Sequence, residues 1–294
     1  MANIITLGLL IDKTVEHYHK YFKELIGISL WLIVGASPFL FSGYIAPAGV
    51  DSATPMNEVL MYLGINAVGL VTTTLSSLWI ASCMMLTINA RAKGSTPNHV
   101  VLGKQAWKFT PALFLFGIAF AVVMMLGAVV LFIPGIIALM ANQADGATGA
   151  ALGIGGVLLL FAGAIASLYF IIRYSVELAF AQYAIVLEQP SKFSLKNIWS
   201  AVQSSRASVR GSWWAVAIRL LVPNAIISLI VISVTMTVNF AMTVIFTFAA
   251  ASLSALAIKL IAILLTTSLF VVNAMVMPLY SLATYYLYDS VKRT

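Results

Sequence analysis

Charge is scarce in this chain, and so are the side chains that carry most catalytic chemistry. Only 9% of the 294 residues are Asp, Glu, Lys or Arg, against roughly a quarter in soluble domains. That excludes an ordinary water-soluble globule. Cysteine occurs once, at Cys83, so no intramolecular disulfide can form; inside an apolar run it reads as a small packing residue. The histidines are His17, His19 and His99. On a helix His17 and His19 point away from each other, which argues against a shared metal. There is no phosphate-binding glycine loop, no Cys/His metal spacing and no GxSxG nucleophile turn. Glu177 and Glu188 stand eleven residues apart, or about 16 Å along a helix, too far for a working carboxylate pair. The expectation is a chain that is not an enzyme and holds no cofactor or metal.

What the chain has instead is apolar length. Hydrophobic residues make up 62% of it and the mean hydropathy is +1.02. Apolar runs cover 25–41, 66–88, 110–140, 150–172 and nearly all of 213–288, and each reaches or approaches the ~20 residues that cross a bilayer as helix. They are rich in Leu, Ala, Gly and Met without alternation, so helices are expected and not a barrel. Six crossings fit, at about 25–45, 60–90, 110–140, 150–187, 213–245 and 250–288. The opening "IITLGLLI" is short, has no basic residue before it and runs into Asp12 and Lys13, so it is not expected to be a secretory signal.

The basic residues then fall on one side. Lys13, Lys20 and Lys23 precede the first crossing; Arg91, Lys93, Lys104 and Lys108 lie between the second and third. Lys192, Lys196, Arg206 and Arg210 lie between the fourth and fifth, and Lys292 and Arg293 follow the last, making thirteen of sixteen. The opposite loops carry Asp51, Glu58 and Asp145 and no Lys or Arg. The positive-inside rule puts both termini in the cytoplasm. The +7 net charge is thereby a topology signal spread over four membrane-flanking segments, and no nucleic-acid partner is expected. The expected partners are the bilayer, anionic headgroups beside the basic helices, and membrane-protein subunits.

Those basic segments are amphipathic. Ile11, Val15, Tyr18, Phe22 and Leu25 recur at helical spacing opposite Lys13, Glu16, His17 and Lys20. Leu195, Trp199, Val202 and Val209 do so opposite Lys196, Gln203, Arg206 and Arg210. Such helices suit the membrane interface. "LGKQAW" and "SLKNIW" both set lysine three residues before tryptophan, and Trp107, Trp199, Trp213 and Trp214 are expected to anchor at headgroup level. Ser77-Leu78-Trp79, Ser167-Leu168-Tyr169 and Ser268-Leu269-Phe270 repeat a Ser-Leu-aromatic signal; Glu188 and Asp289 each follow its serine by twenty-one residues. The fold class read from this is an all-α polytopic membrane protein. About six transmembrane helices form three parallel hairpins, each preceded by a cytoplasmic amphipathic helix. They make a single integral membrane domain over 1–294, with repeats at 1–95, 96–190 and 191–294.

Arg173 and Glu177 sit inside the apolar tract 150–187. Its 38 residues would make roughly 57 Å of helix, so the tract must emerge, tilt strongly or break. At i,i+4 the two ions can pair. Either the pair helps a long helix leave the membrane, or it lines a polar cavity at the cytoplasmic end with Arg219; intramembrane ions are functional candidates by default. Glu188, Arg219 and Asp289 are further polar candidates at that end. Lys259 is expected to snorkel to the outer surface.

"FIPGIIAL" and "IIRYSVELAFAQYAIVLEQPSKFSLKNIWSAVQSSRASVRGSWWAVAIRLL" resemble a broad group of six-helix prokaryotic membrane proteins of uncharacterised function. They are similar to the membrane domain attached to some glycerophosphodiester phosphodiesterases. The matching positions are Pro134-Gly135, Arg173-Tyr174-Ser175, Val186-Leu187-Glu188 and the segment from Leu195 to Trp214. In that group Pro-Gly runs almost directly into the arginine helix, whereas here 37 residues separate Gly135 from Arg173. No segment resembles the soluble phosphodiesterase domain, so that activity is not expected. The resemblance implies a fold and leaves the role open. The reading is a non-catalytic multipass protein with a structural, scaffolding or accessory role in the envelope; the alternative is a transporter or channel for a small solute or lipid.

Overall fold

The computed structural model describes residues 4–45, 55–141, 147–189, 194–249 and 254–293. Asp51, Asp145 and Lys192, three of the charges that set the expected topology, lie outside the described residues. Every regular element among the described residues is a helix: α1 (Leu7–Lys20), α2 (Phe22–Ser29), α3 (Trp31–Ile45), α4 (Met56–Ala92), α5 (His99–Ala141), α6 (Ala147–Leu178), α7 (Ala181–Leu187), α8 (Leu195–Val209), α9 (Trp213–Ala249) and α10 (Ala255–Lys292).

Six spans are long and apolar enough to cross a membrane: Phe22–Ser42, Met56–Ala92, His99–Met140, Gly153–Leu187, Trp213–Ile245 and Lys259–Lys292. By length and apolarity this is a multipass membrane protein. Several of the helices far exceed a bilayer core. The 43 residues of α5 make about 65 Å of helix against a hydrocarbon layer of about 30 Å.

The tract 150–187 breaks. Helix α6 ends at Leu178 and α7 restarts at Ala181, with the Ala179 N–H donating to Val176 O at 3.4 Å, three residues back, at the join. By contrast, no separate surface helix precedes α5, which runs unbroken from His99. The segment with Lys104 and Trp107 is its first three turns, because nothing in "HVVLGKQAWKFT" interrupts helix apart from Gly103, which is tolerated there. Before α9 a break does exist: Gly211 sits at φ +87°, a left-handed position open to glycine, and turns the chain from α8 into α9.

Neighbouring helices pack as α3 on α4, α5 on α6 and α9 on α10, while α10 also meets α1, α2, α3 and α4. The buried core lies at the end of the molecule that carries the basic residues. It draws on 80–88 of α4, 106–116 of α5, 176–186 around α7, and 282–291 of α10, with Leu10 and Leu25 from α1 and α2. Phe180, Tyr183 and Tyr288 meet there at ring separations of 5.7 and 5.5 Å. The Tyr183 hydroxyl donates to Ser281 O at 2.9 Å and that of Tyr285 to Asn89 Oδ1 at 3.2 Å. Helix α1 is fastened across α10 by the Tyr18 hydroxyl, which donates to Met275 O at 2.9 Å; burial raises the pKa of that hydroxyl and keeps it a donor.

Away from the basic end the helices are held differently. Val122, Leu126, Leu158, Phe161, Leu229 and Met236 are all exposed, as befits a lipid-facing surface. Helices α5 and α6 approach closely on glycine. A Cβ at Gly163 would stand 2.5 Å from the Leu131 carbonyl oxygen, and one at Gly156 would stand 2.9 Å from the Leu139 nitrogen. Small residues that admit a neighbouring backbone are how helices associate where lipid tails remove the hydrophobic drive.

Candidate functional site

Arg173 and Glu177 do pair, one turn apart on the last two turns of α6, at 3.1 Å. The Arg173 side chain is 53% exposed and that of Glu177 20%. Arg173 also donates from Nη1 to the Tyr169 hydroxyl at 3.2 Å. Glu177 takes a second cation, Arg206 of α8, at 3.5 Å, while Ser205 donates to the Glu177 carbonyl at 2.7 Å. The pair thus stands on the wall of an open crevice of about 460 Å³ between α6, α8 and the start of α9, with Arg206, Arg210, Trp213 and Trp214 as its other walls.

Arg219 is not part of it. Its Nε donates to Ile5 O at 2.5 Å and its Nη1 to Ala215 O at 2.8 Å, so the guanidinium ties the amino-terminal segment to α9. The sequence grouped it with Arg173 because both are lone arginines in apolar helices; the backbone carbonyls that hold it leave no sequence signal. Glu188, just past α7, accepts from the Tyr288 hydroxyl and pairs with Lys292 at 2.8 Å. Asp289 pairs with Arg293 at 2.7 Å, one turn along α10. These contacts close the basic end. Lys259 lies in the second turn of α10 and is half-buried.

Of the four tryptophans expected as anchors, Trp107, Trp199 and Trp214 are exposed and Trp213 is half-buried, its Nε1 buried without a hydrogen-bond partner. Trp107 lies 6.0 Å from Trp79, which lies 6.0 Å from Trp31 and donates to Gly103 O at 3.0 Å. These three rings line a second crevice, about 600 Å³, between α2, α3, α4 and α5. Beside it Glu24 holds Arg91 at 2.9 Å and stands 3.2 Å from His99. Sequence reading missed this triad, whose members are far apart in the chain.

The two crevices occupy matching positions in the Ser-Leu-aromatic register. Trp79, Cys83 and Thr87 line one; Tyr169, Arg173 and Glu177 line the other. Each set is the motif's aromatic residue and the positions four and eight beyond it. The Lys-x-x-Trp echo does not carry over in the same way: Trp107 lines its crevice, whereas Trp199 lines neither.

A third space, about 440 Å³, lies among α4, α5, α6, α7, α9 and α10. Ser175, Gln182, Asn224, Tyr280, Ser281 and Thr284 reach it, along with Phe116 and Met277. Tyr280 is 2.9 Å from Ser228 Oγ. The amides of Gln182 and Asn224 were overlooked in the sequence because single amides in separate helices form no motif. Among the described residues no three His, Cys, Asp or Glu side chains are grouped to hold a metal. No protein-family model, curated protein or solved structure matches the chain; the likeness to the phosphodiesterase-linked membrane domain rests on its quoted residues alone.

Proposed function

We propose that this is a non-catalytic inner-membrane protein, with three parallel hairpins and both termini in the cytoplasm, that supports other envelope components. The observation behind this reading is the uneven packing. Buried side chains concentrate at the basic end, where α1, α2, α7 and α8 knit the crossing helices together, and the remaining lengths of α5, α6 and α9 present exposed apolar faces. A braced end with free apolar flanks suits a platform on which another membrane protein can dock. The amphipathic α1 and α8, with Trp107, Trp199, Trp213 and Trp214, would hold that platform at the headgroups.

Gentle solubilisation of the tagged full chain is expected to recover one membrane protein in stoichiometric amount. That recovery should fall at least about tenfold on Phe161→Arg, which sets a charge on the exposed face of α6. A chain that is solitary in native-membrane particles would contradict the reading.

One observation favours the alternative of a transporter for a small solute or lipid. Seven uncharged polar side chains, Tyr183 and Tyr280 among them, line the cavity between the crossing helices, and polar groups at membrane depth are costly unless water, a ligand or a neighbour meets them. On that reading Asn224→Leu abolishes flux in proteoliposomes. Arg173→Ala leaves flux in place, since Arg173 does not line that cavity. Absence of any flux from the wild-type chain removes this alternative.

A further inference from the structure

The crevice between α6, α8 and α9 is lined with donors in excess of acceptors. Three guanidinium groups, Arg173, Arg206 and Arg210, face one carboxylate, Glu177. Glu177 engages Arg173 and Arg206, but a guanidinium carries five N–H donors, and most of these remain. Arg210 is exposed and makes no ion pair among the described residues. The crevice also receives the first turn of α9, whose amides have no helical carbonyl to meet and carry the positive end of the helix dipole. The Trp213 ring lines the same crevice, its indole nitrogen buried out of a ligand's reach. Guanidinium forks and helix-end amides together match a phosphate group.

The shape indicates what the phosphate is attached to. A second space of about 570 Å³ shares Tyr169, Arg173, Glu177 and Arg206 with the first and continues along Leu131, Ala166 and Phe170. Polar at one end and apolar along α5 and α6, the combined cleft fits an amphiphile. In the corresponding crevice Cys83 and Thr87 stand where this one has Arg173 and Glu177, and its charged lining is Lys23, Glu24 and Lys104, with no arginine.

We propose that this cleft binds one anionic phospholipid, its phosphate headgroup among Arg173, Arg206, Arg210 and the first turn of α9 and an acyl chain along Leu131, Ala166 and Phe170. The proposal rests on the membrane reading and not on the accessory role, since its test involves no second protein.

The test is native mass spectrometry of the purified full chain in detergent, with equimolar phosphatidylglycerol and phosphatidylcholine of identical acyl chains. The expected result is preferential retention of one phosphatidylglycerol per chain. Arg210→Gln, at an exposed residue outside the ion pairs, should weaken it about tenfold, the loss of one charge-assisted hydrogen bond. Arg206→Gln combined with Arg210→Gln should abolish the preference, and Lys108→Gln, an exposed basic residue elsewhere, should leave it unchanged. If the double variant misfolds, Arg210→Gln alone decides. Equal retention of both lipids, or an equal loss with Lys108→Gln, would mean only general attraction to negative surfaces and overturns the proposal. Displacement of the lipid by millimolar inorganic phosphate would make this a soluble-phosphate site and overturns it too.

Discussion

Gly163→Ala is expected to destabilise the protein by about 1–3 kcal/mol, the usual cost of overpacking a close contact, whereas Gly155→Ala should be neutral or stabilising. The two glycines lie on the same helix, and a comparison of hydropathy cannot separate them. The difference is geometric. A methyl group at Gly163 would stand 2.5 Å from the Leu131 carbonyl oxygen, while one at Gly155 meets nothing within 4 Å. A backbone oxygen cannot rotate out of the way as a flexible side chain can, so α5 and α6 would have to part. At Gly155 only the propensity term remains, and it favours alanine by up to about 1 kcal/mol. Thermal unfolding of the two variants in one detergent checks this. Equal effects would mean that the α5–α6 approach is not set by glycine.

The second large effect is expected at Glu24. Its side chain is 12% exposed, and Oε2 accepts from Arg91 Nε at 3.0 Å, with Arg91 Nη2 at 2.9 Å completing the ion pair. His99 Nε2 is 3.2 Å from Oε1 but outside hydrogen-bond geometry. One carboxylate therefore joins α2 to α4 at the basic end, beside the start of α5. Glu24→Gln keeps the volume and removes the charge that Arg91 needs, leaving that guanidinium to the Tyr21 ring at 5.0 Å. A loss of about 1.5–3 kcal/mol is expected, the range for hydrogen bonds to charged groups. A double-mutant cycle with Arg91→Met should return a coupling of at least about 0.5 kcal/mol. Additive single effects would show that the pair is incidental, as many exposed pairs are.

How far the sequence carries can be judged on these same residues. The six spans were legible because length and apolarity are properties of one helix at a time. The Arg173–Glu177 pair was legible for the same reason, its spacing being local. Counting residues against bilayer thickness excluded one straight crossing over 150–187 and left emergence, tilt and a break open; the structure has the break. Contacts between helices were not legible. Glu24 and Arg91 are 67 residues apart, and every face of an apolar helix looks alike to a hydropathy pattern, so neither their meeting nor the separate placement of Arg219 could be read. The amides Gln182 and Asn224 were hidden likewise, each one polar residue in an apolar helix until the bundle brought them to one cavity. In the Ser-Leu-aromatic register, counting four and eight residues on from Trp79 and from Tyr169 gives the matching walls of two crevices, while Phe270 of the third motif lines neither.

The most direct test of the account is which side of the membrane each end of the bundle faces. In a Cys83→Ala background, Glu58→Cys at the start of α4 and Lys108→Cys near the start of α5 are both exposed positions. An impermeant maleimide applied to spheroplasts and to inside-out vesicles should label Glu58→Cys only from outside and Lys108→Cys only from inside. Labelling of both from the same side would contradict the six-span arrangement, and the reverse pattern would put the braced, basic end outside the cell.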